Sequence, residues 1–259
     1  MIVLKGEYQQ WHKKLKTMEI HTKDRLRDLF ADSIKPIIDQ EKLRLRKDSQ
    51  GGFAKRKFKN GDLWLLNYFV DFRGWRNKSH IGDFGHGVRI DTVEKIFFMF
   101  SNPLFDFPSE DSSTIGASWG NGAQDDKLPG ITTIEDLEIA LNKFSQMFNN
   151  QFMPFIKHFH SIENLDAHYN GDYQIIIPII VHHGGFYNND DFNNGVINAV
   201  KLMRSLIIAK MANNPNYDDI VKVYTHRVSK IDYKTFQTKW VVLLHYLDTQ
   251  ELPEWQRPW

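Results

Sequence analysis

Phe53-Ala54-Lys55-Arg56-Lys57-Phe58-Lys59-Asn60-Gly61-Asp62-Leu63-Trp64-Leu65-Leu66-Asn67-Tyr68-Phe69-Val70-Asp71-Phe72 is the stretch that decides the fold class. Two strand-like runs flank Asn60-Gly61, and Asn-Gly in that position is a strong short-range hairpin signal, because both residues tolerate the positive φ of a tight turn. Gly51-Gly52 breaks the chain just before the first run. The stretch predicts two antiparallel strands, Phe53 to Lys59 and Leu63 to Phe72. In the first, alternation would set Lys55, Lys57 and Lys59 on one face.

Upstream, residues 22–40 predict a helix: Thr22 can cap it, and Leu26, Leu29, Phe30, Ile34, Ile37 and Ile38 share a stripe. Pro36 lies inside the stripe and should kink the helix or end it early. Leu43 and Leu45 alternate with Arg44 and Arg46 as in a short strand. Downstream, Gly82 to Asp91 and Ser112 to Trp119 predict further strands. Val93 to Phe100 is apolar and compatible with either state, and a Pro/Ser-rich loop follows from Asn102 to Ser113. Thr132 and Glu135 have capping-box spacing at the head of a helix running to about residue 150, with Pro154 just beyond. Its stripe is Ile134, Leu137, Leu141, Phe144, Met147 and Phe148, which a half-buried sheet should cover.

Beyond residue 160 the pattern turns helical. Gly171 to Val181 fits a buried strand or a helix end. Val196 to Met211, Asn216 to Val228 and Lys234 to Leu247 predict helices, and Pro253 to Trp259 reads as a loose tail. Strands grouped before helices argue for an α+β protein, with an antiparallel sheet packed against helices in residues 1–160 and a mostly helical extension, 161–259, packed on it.

Composition bounds the function. Hydrophobic residues at 41% and charged residues at 25% suit a chain with a full core. There is no cysteine, which removes disulfides, thiolate nucleophiles and sulfur-ligated zinc. The longest apolar run, Ile175 to Val181, is far short of the roughly 20 residues of a membrane span. Four apolar residues at the N-terminus are too few for a signal peptide, so no membrane partner and a cytoplasmic location are expected. The net charge of +1 hides an imbalance: residues 1–60 carry +8 and the remainder −7. That asymmetry suggests a basic face and an acidic one.

Several motifs fail on context. Gly116-Ala117-Ser118-Trp119-Gly120 matches G-x-S-x-G, but Asn121-Gly122 follows where a nucleophile elbow needs a helix. Asp83-Phe84-Gly85 lacks every companion kinase motif and reads as a glycine-rich strand bend. Asn188 to Gly195 misses the EF-hand ligand positions in both registers. His158, His160, His168, His182 and His183 show no diagnostic metal spacing. No cofactor, metal or catalytic residue is expected from these patterns.

The basic stretch is the informative one. Lys42, Arg44, Arg46, Lys47, Lys55, Arg56, Lys57 and Lys59 face only Asp48 within residues 42–59, and Trp64, Tyr68, Phe72, Arg73, Trp75 and Arg76 follow. Cations beside aromatics suit phosphate contacts and base stacking, or a row of carboxylates. The candidate partner-binding residues are Lys55, Arg56, Lys57, Lys59, Arg73, Trp75 and Arg76. The competing reading is a solvated sheet edge guarded by lysines over a core of aromatics.

Three stretches carry a family resemblance: Ile34-Lys35-Pro36-Ile37-Ile38, then Phe58 with Asn60-Gly61-Asp62, then Ile131 to Leu137 running on to Met153-Pro154-Phe155-Ile156. Over roughly residues 24–160 the chain resembles the bacterial proteins grouped as domain of unknown function 4304. The resemblance implies an α+β sandwich of sheet and helices, and no activity, cofactor or catalytic residue. The expected function is a non-enzymatic binding protein whose basic sheet region holds an acidic protein or a nucleic acid. The alternative is a hydrolase, with or without metal assistance, built around His182-His183 and Asp190-Asp191.

Overall fold

The computed structural model describes residues 22–73, 78–101, 113–119, 131–171, 192–231 and 233–259. They form an α+β protein with a five-stranded antiparallel sheet in the order β1-β2-β3-β4-β5. The strands are β1 (Arg44–Lys47), β2 (Gly51–Lys57), β3 (Leu63–Arg73), β4 (Lys78–Arg89) and β5 (Ile115–Trp119). The helices are α1 (Lys23–Asp39), α2 (Asp91–Ser101), α3 (Ile134–Met147), α4 (Met153–Phe159), α5 (Ile162–Asn170), α6 (Phe192–Met211), α7 (Tyr217–Val228) and α8 (Lys234–Thr249). The undecided segment Val93 to Phe100 is helical, and the acidic residues Asp91 and Glu94 in its first turn complement the helix dipole. The question left open at 171–181 falls almost wholly outside the described residues. No described helix is long and apolar enough to cross a membrane.

The chain divides into two compact units. Of the described residues, those up to Arg56, Leu65–His86 and Ser118–Pro154 belong to the first, and Lys57–Trp64, Gly87–Ala117 and Phe155–Trp259 to the second.

In the first unit, α1 and α3 supply most of the helical packing. Thr22 caps α1 by accepting from the Arg25 amide at 3.3 Å. Of the two outcomes expected at Pro36, an early end is excluded: α1 continues to Asp39. Burial of Ile34 and Ile38 holds the last turn on either side of the missing amide. Phe30 packs edge-on to Tyr68 of β3 at 5.1 Å and to Phe144 of α3 at 5.7 Å, and Phe144 meets Phe84 of β4 at 5.6 Å. Of the α3 stripe, Leu137, Phe144, Met147 and Phe148 are buried and Ile134 and Leu141 half-buried. Its cap is one residue later than the sequence suggested: Thr133 accepts from the Asp136 amide, and the Asp136 carboxylate accepts from the Thr133 and Thr132 amides. After Met147 the chain widens into a π-helical segment, Phe148–Phe152, before α4. Pro154 lies inside α4. Proline has no amide to give and crowds the carbonyl four residues back, so a wider turn just before it relieves both.

The hairpin is closed by three residues where Asn-Gly alone was expected. Phe58 donates its amide to the Asp62 carbonyl at 2.9 Å, and Gly61 donates to the Phe58 carbonyl at 3.1 Å. Lys59 and Asn60 make the turn, and Gly61 follows at φ +94°. This is the three-residue loop in which a left-handed residue matches the strand twist. Consequently β2 ends at Lys57, and Lys59 leaves the strand. A Cβ on Gly61 would also lie 2.4 Å from the Asp91 carboxylate. Gly61→Ala should therefore cost about 1–3 kcal/mol, more than helix or strand propensity alone would take. Urea denaturation checks this; an unchanged midpoint would show that the turn relaxes freely.

Candidate functional site

The β1–β2 ladder sorts the basic residues by face. Arg44 lies opposite Lys55, Leu45 opposite Ala54, and Arg46 opposite Phe53. Ala54 is fully buried and Leu45 is half-buried, so their side of the sheet meets α1. Lys47 points to that side and pairs with Asp28 and Asp32 of α1 at 3.5 and 3.3 Å. Arg56 also serves the fold there, donating to the Glu41 carbonyl at 3.2 Å.

Alternation carries Arg44, Arg46, Phe53 and Lys55 to the other side. Arg44 and Arg46 are exposed, and neither makes an ion pair among the described residues. Lys55 lies over the Phe53 ring at 5.8 Å. On β3 the same side holds Asn67, half-buried, and Phe69, which is 41% exposed. The patch stops at Leu65, which is buried. Gly51 permits the close approach of β2 to β3: a Cβ there would lie 2.0 Å from the Tyr68 carbonyl oxygen and 2.9 Å from the Phe69 Cα. Gly51 thus abuts Phe69, and Phe53 stands two residues further along. The two phenyl rings are diagonal neighbours, with Cα atoms about 7–8 Å apart by strand geometry.

Against the expected site, the outcome divides. Lys55 belongs to the patch, and Arg56 does not. Lys57, exposed, is the last residue of β2, and Lys59, exposed, sits in the turn; both belong to the second unit. The expected line of three lysines on one strand face is therefore not formed. Arg73 ends β3, but its side chain, Trp75 and Arg76 lie outside the described residues. Trp64 and Tyr68 are core residues at 2% and 1% exposure, so neither offers a ring for stacking. Sequence reasoning missed Phe53 and Phe69 as the open rings. The signal was present in the parity of β1, since Arg44 and Arg46 must face away from Leu45.

In the second unit, polar groups concentrate around Asp62 and His160, both essentially buried. The Trp64 indole N–H donates to His160 Nδ1 at 2.6 Å. Indole can only donate, so Nδ1 is the acceptor and the ring proton sits on Nε2. That N–H meets the Asp62 carboxylate at 2.8 Å. Asp62 also accepts from the Trp255 indole at 2.9 Å, the Asn60 amide group at 2.9 Å and the Asp91 backbone at 2.8 Å. Burial by itself raises the Asp62 carboxyl, and the bonds from His160, Trp255 and Asp91 outweigh it, leaving the group below its ordinary 3.8. Trp259, 49% exposed, lies against the site, its ring 4.4 Å from that of His160 and 5.6 Å from that of Phe58. The tail read as loose has no regular secondary structure, but Trp255 and Trp259 anchor it here. Both imidazole nitrogens are committed to protein groups, so this His–Asp pair has no free base to present to a substrate. It ties the hairpin, the end of α4 and the tail together.

A second buried pair joins α2 to α6. Arg204 donates to both Glu94 carboxylate oxygens at 3.0 and 2.8 Å and lies over the Phe97 ring at 4.1 Å. His158 and His168 flank the Phe159 ring at 4.8 and 5.0 Å. Among the described residues no three His, Asp or Glu side chains gather as metal ligands. His182, His183, Asp190 and Asp191 lie outside those residues. Ser118 falls within β5, and the turn expected after it is likewise outside.

Fold and site together define a sheet-and-helix protein with Arg44, Arg46, Lys55, Phe53 and Phe69 on one side of its sheet. The chain matches no family model, no curated protein and no solved structure.

Proposed function

We propose that this is a non-enzymatic binding protein that holds an acidic partner on the open side of β1 and β2. One observation carries the reading: the β1–β2 register collects Arg44, Arg46 and Lys55 on the side away from α1, and Arg44 and Arg46 are exposed there without an ion pair among the described residues. Cations placed this way add little to folding stability. They are positioned to attract and orient a polyanion. The likeness to domain of unknown function 4304 stands beside this proposal and adds no activity to it.

The test is charge reversal, Arg44→Glu with Arg46→Glu and Lys55→Glu. Heparin serves as a generic polyanion. The wild-type chain should be retained on heparin and released by salt, because screening weakens such contacts. The triple variant should elute at clearly lower salt with its Tm within a few degrees of wild type. A triple variant that elutes with the wild-type chain would sink the proposal.

A further inference from the structure

We propose that the acidic partner is a single strand of RNA, with bases stacked on Phe53 and Phe69 and the sugar-phosphate backbone held by Arg44, Arg46 and Lys55. The inference rests on the reading of the sheet face as a polyanion site and deepens it. A polyanion site made for carboxylates or for duplex phosphates has no use for aromatic rings among its cations. Here two phenyl rings lie diagonally on the same face as the cations, Phe53 half-buried and Phe69 41% exposed. With their Cα atoms about 7–8 Å apart, the two rings can each take a separate base splayed out from a flexible strand, which a duplex cannot supply. Every base has a flat face to stack, so such a platform works without reading sequence. Arg46 stands directly across from Phe53, and Arg44 across from Lys55, which places positive charge within one strand spacing of the rings. Asn67 lies on this side of β3, between Leu65 and Phe69. Its amide can both donate to and accept from a ribose 2′-hydroxyl, the group that distinguishes RNA from DNA.

The experiment uses the full chain and a fluorescein-labelled 12-residue oligouridylate, followed by anisotropy. The wild-type chain should bind it, with affinity falling as salt rises. Phe53→Ala with Phe69→Ala should weaken binding about tenfold or more, from the worth of base stacking, while heparin retention stays unchanged. Phe69→Tyr, which keeps a stackable ring, should retain binding and guards against a folding artefact in the alanine variant. Duplex RNA at equal phosphate should compete poorly. The deoxythymidylate 12-mer should bind more weakly, and Asn67→Ala should erase that difference. Three results would each overturn the inference while leaving the polyanion site intact: heparin retention without oligouridylate binding, alanine variants that bind like wild type, or duplex that competes as well as single strand. Equal binding of the DNA oligomer overturns the assignment to RNA. Failure of the charge reversal to affect heparin would instead overturn the underlying reading.

Discussion

Asp62→Ala is expected to destabilise the protein by about 3–5 kcal/mol, the range for removing one member of a buried, hydrogen-bonded charged group. The carboxylate is 1% exposed. It accepts from His160 Nε2, Trp255 Nε1, Asn60 Nδ2 and the Asp91 amide at 2.8–2.9 Å. Truncation leaves four donors facing a gap, and a buried unsatisfied donor costs about 1–3 kcal/mol. Asp62→Asn should cost less, because one oxygen remains to accept while its new amide hydrogens confront donors. Urea denaturation followed by tryptophan fluorescence reads both variants, since Trp64 and Trp255 report on the site directly. A loss below about 1 kcal/mol for the alanine variant would mean that water enters and satisfies the donors, and the site would then be less closed than its geometry implies.

Acid should unfold the protein in a window set first by His86. This residue of β4 is 6% exposed and stacks on Phe152 with ring centroids 4.6 Å apart. Burial pushes its imidazole down from the ordinary 6.5 to about 4. The unfolded chain therefore takes up this proton before the folded one does. Stability from neutral His86 is complete above about pH 6.5 and is lost as the pH falls from there to about 4. Below that the folded form is protonated too, and the loss levels off. A separation of that size corresponds to about 3 kcal/mol. Asp62 acts lower and in its own range: held below 3.8, it contributes fully above that value, and the contribution is lost as the pH falls through its folded-state value. His86→Leu should flatten the upper part of the profile. Stability measured in urea from pH 7 to pH 4.5 decides: equal slopes for wild type and variant would show that His86 is not the group responsible.

The hairpin was legible because its signal is local: Asn60-Gly61 between two strand-like runs has few other solutions. The three-residue loop was not, because nothing in the sequence marks Lys59 as turn and not strand. The helices α1, α3, α7 and α8 were readable from stripes, and the α3 cap missed by one residue because Thr132 and Thr133 both offer a hydroxyl. The side of β3 that faces the core could not be read. Leu63, Trp64, Leu65 and Leu66 are all buried, so alternation is silent there, and the pattern left Trp64 and Tyr68 open between a stacking surface and the core, where both lie. The basic patch was half legible: its charges stand out in composition, but their division between the α1 side and the open side depends on the β1–β2 register. The tail was misread for a different reason. Trp255 and Trp259 show no periodicity among the prolines, and their partners Asp62 and His160 lie far away along the chain.

Trp255 and Asp62 are separated by 193 residues. A hairpin forms in microseconds, whereas synthesis adds about 5–20 residues per second. On a ribosome the Asp62 turn must therefore wait roughly 10–40 s for its last indole donor, with its carboxylate incompletely partnered in the meantime. The first unit draws on nothing later than Pro154, so its parts are all made well before Trp255 emerges. The nascent chain thus matures on two timetables, and the second unit gains its closing tryptophans only when residues 255–259 have left the exit tunnel.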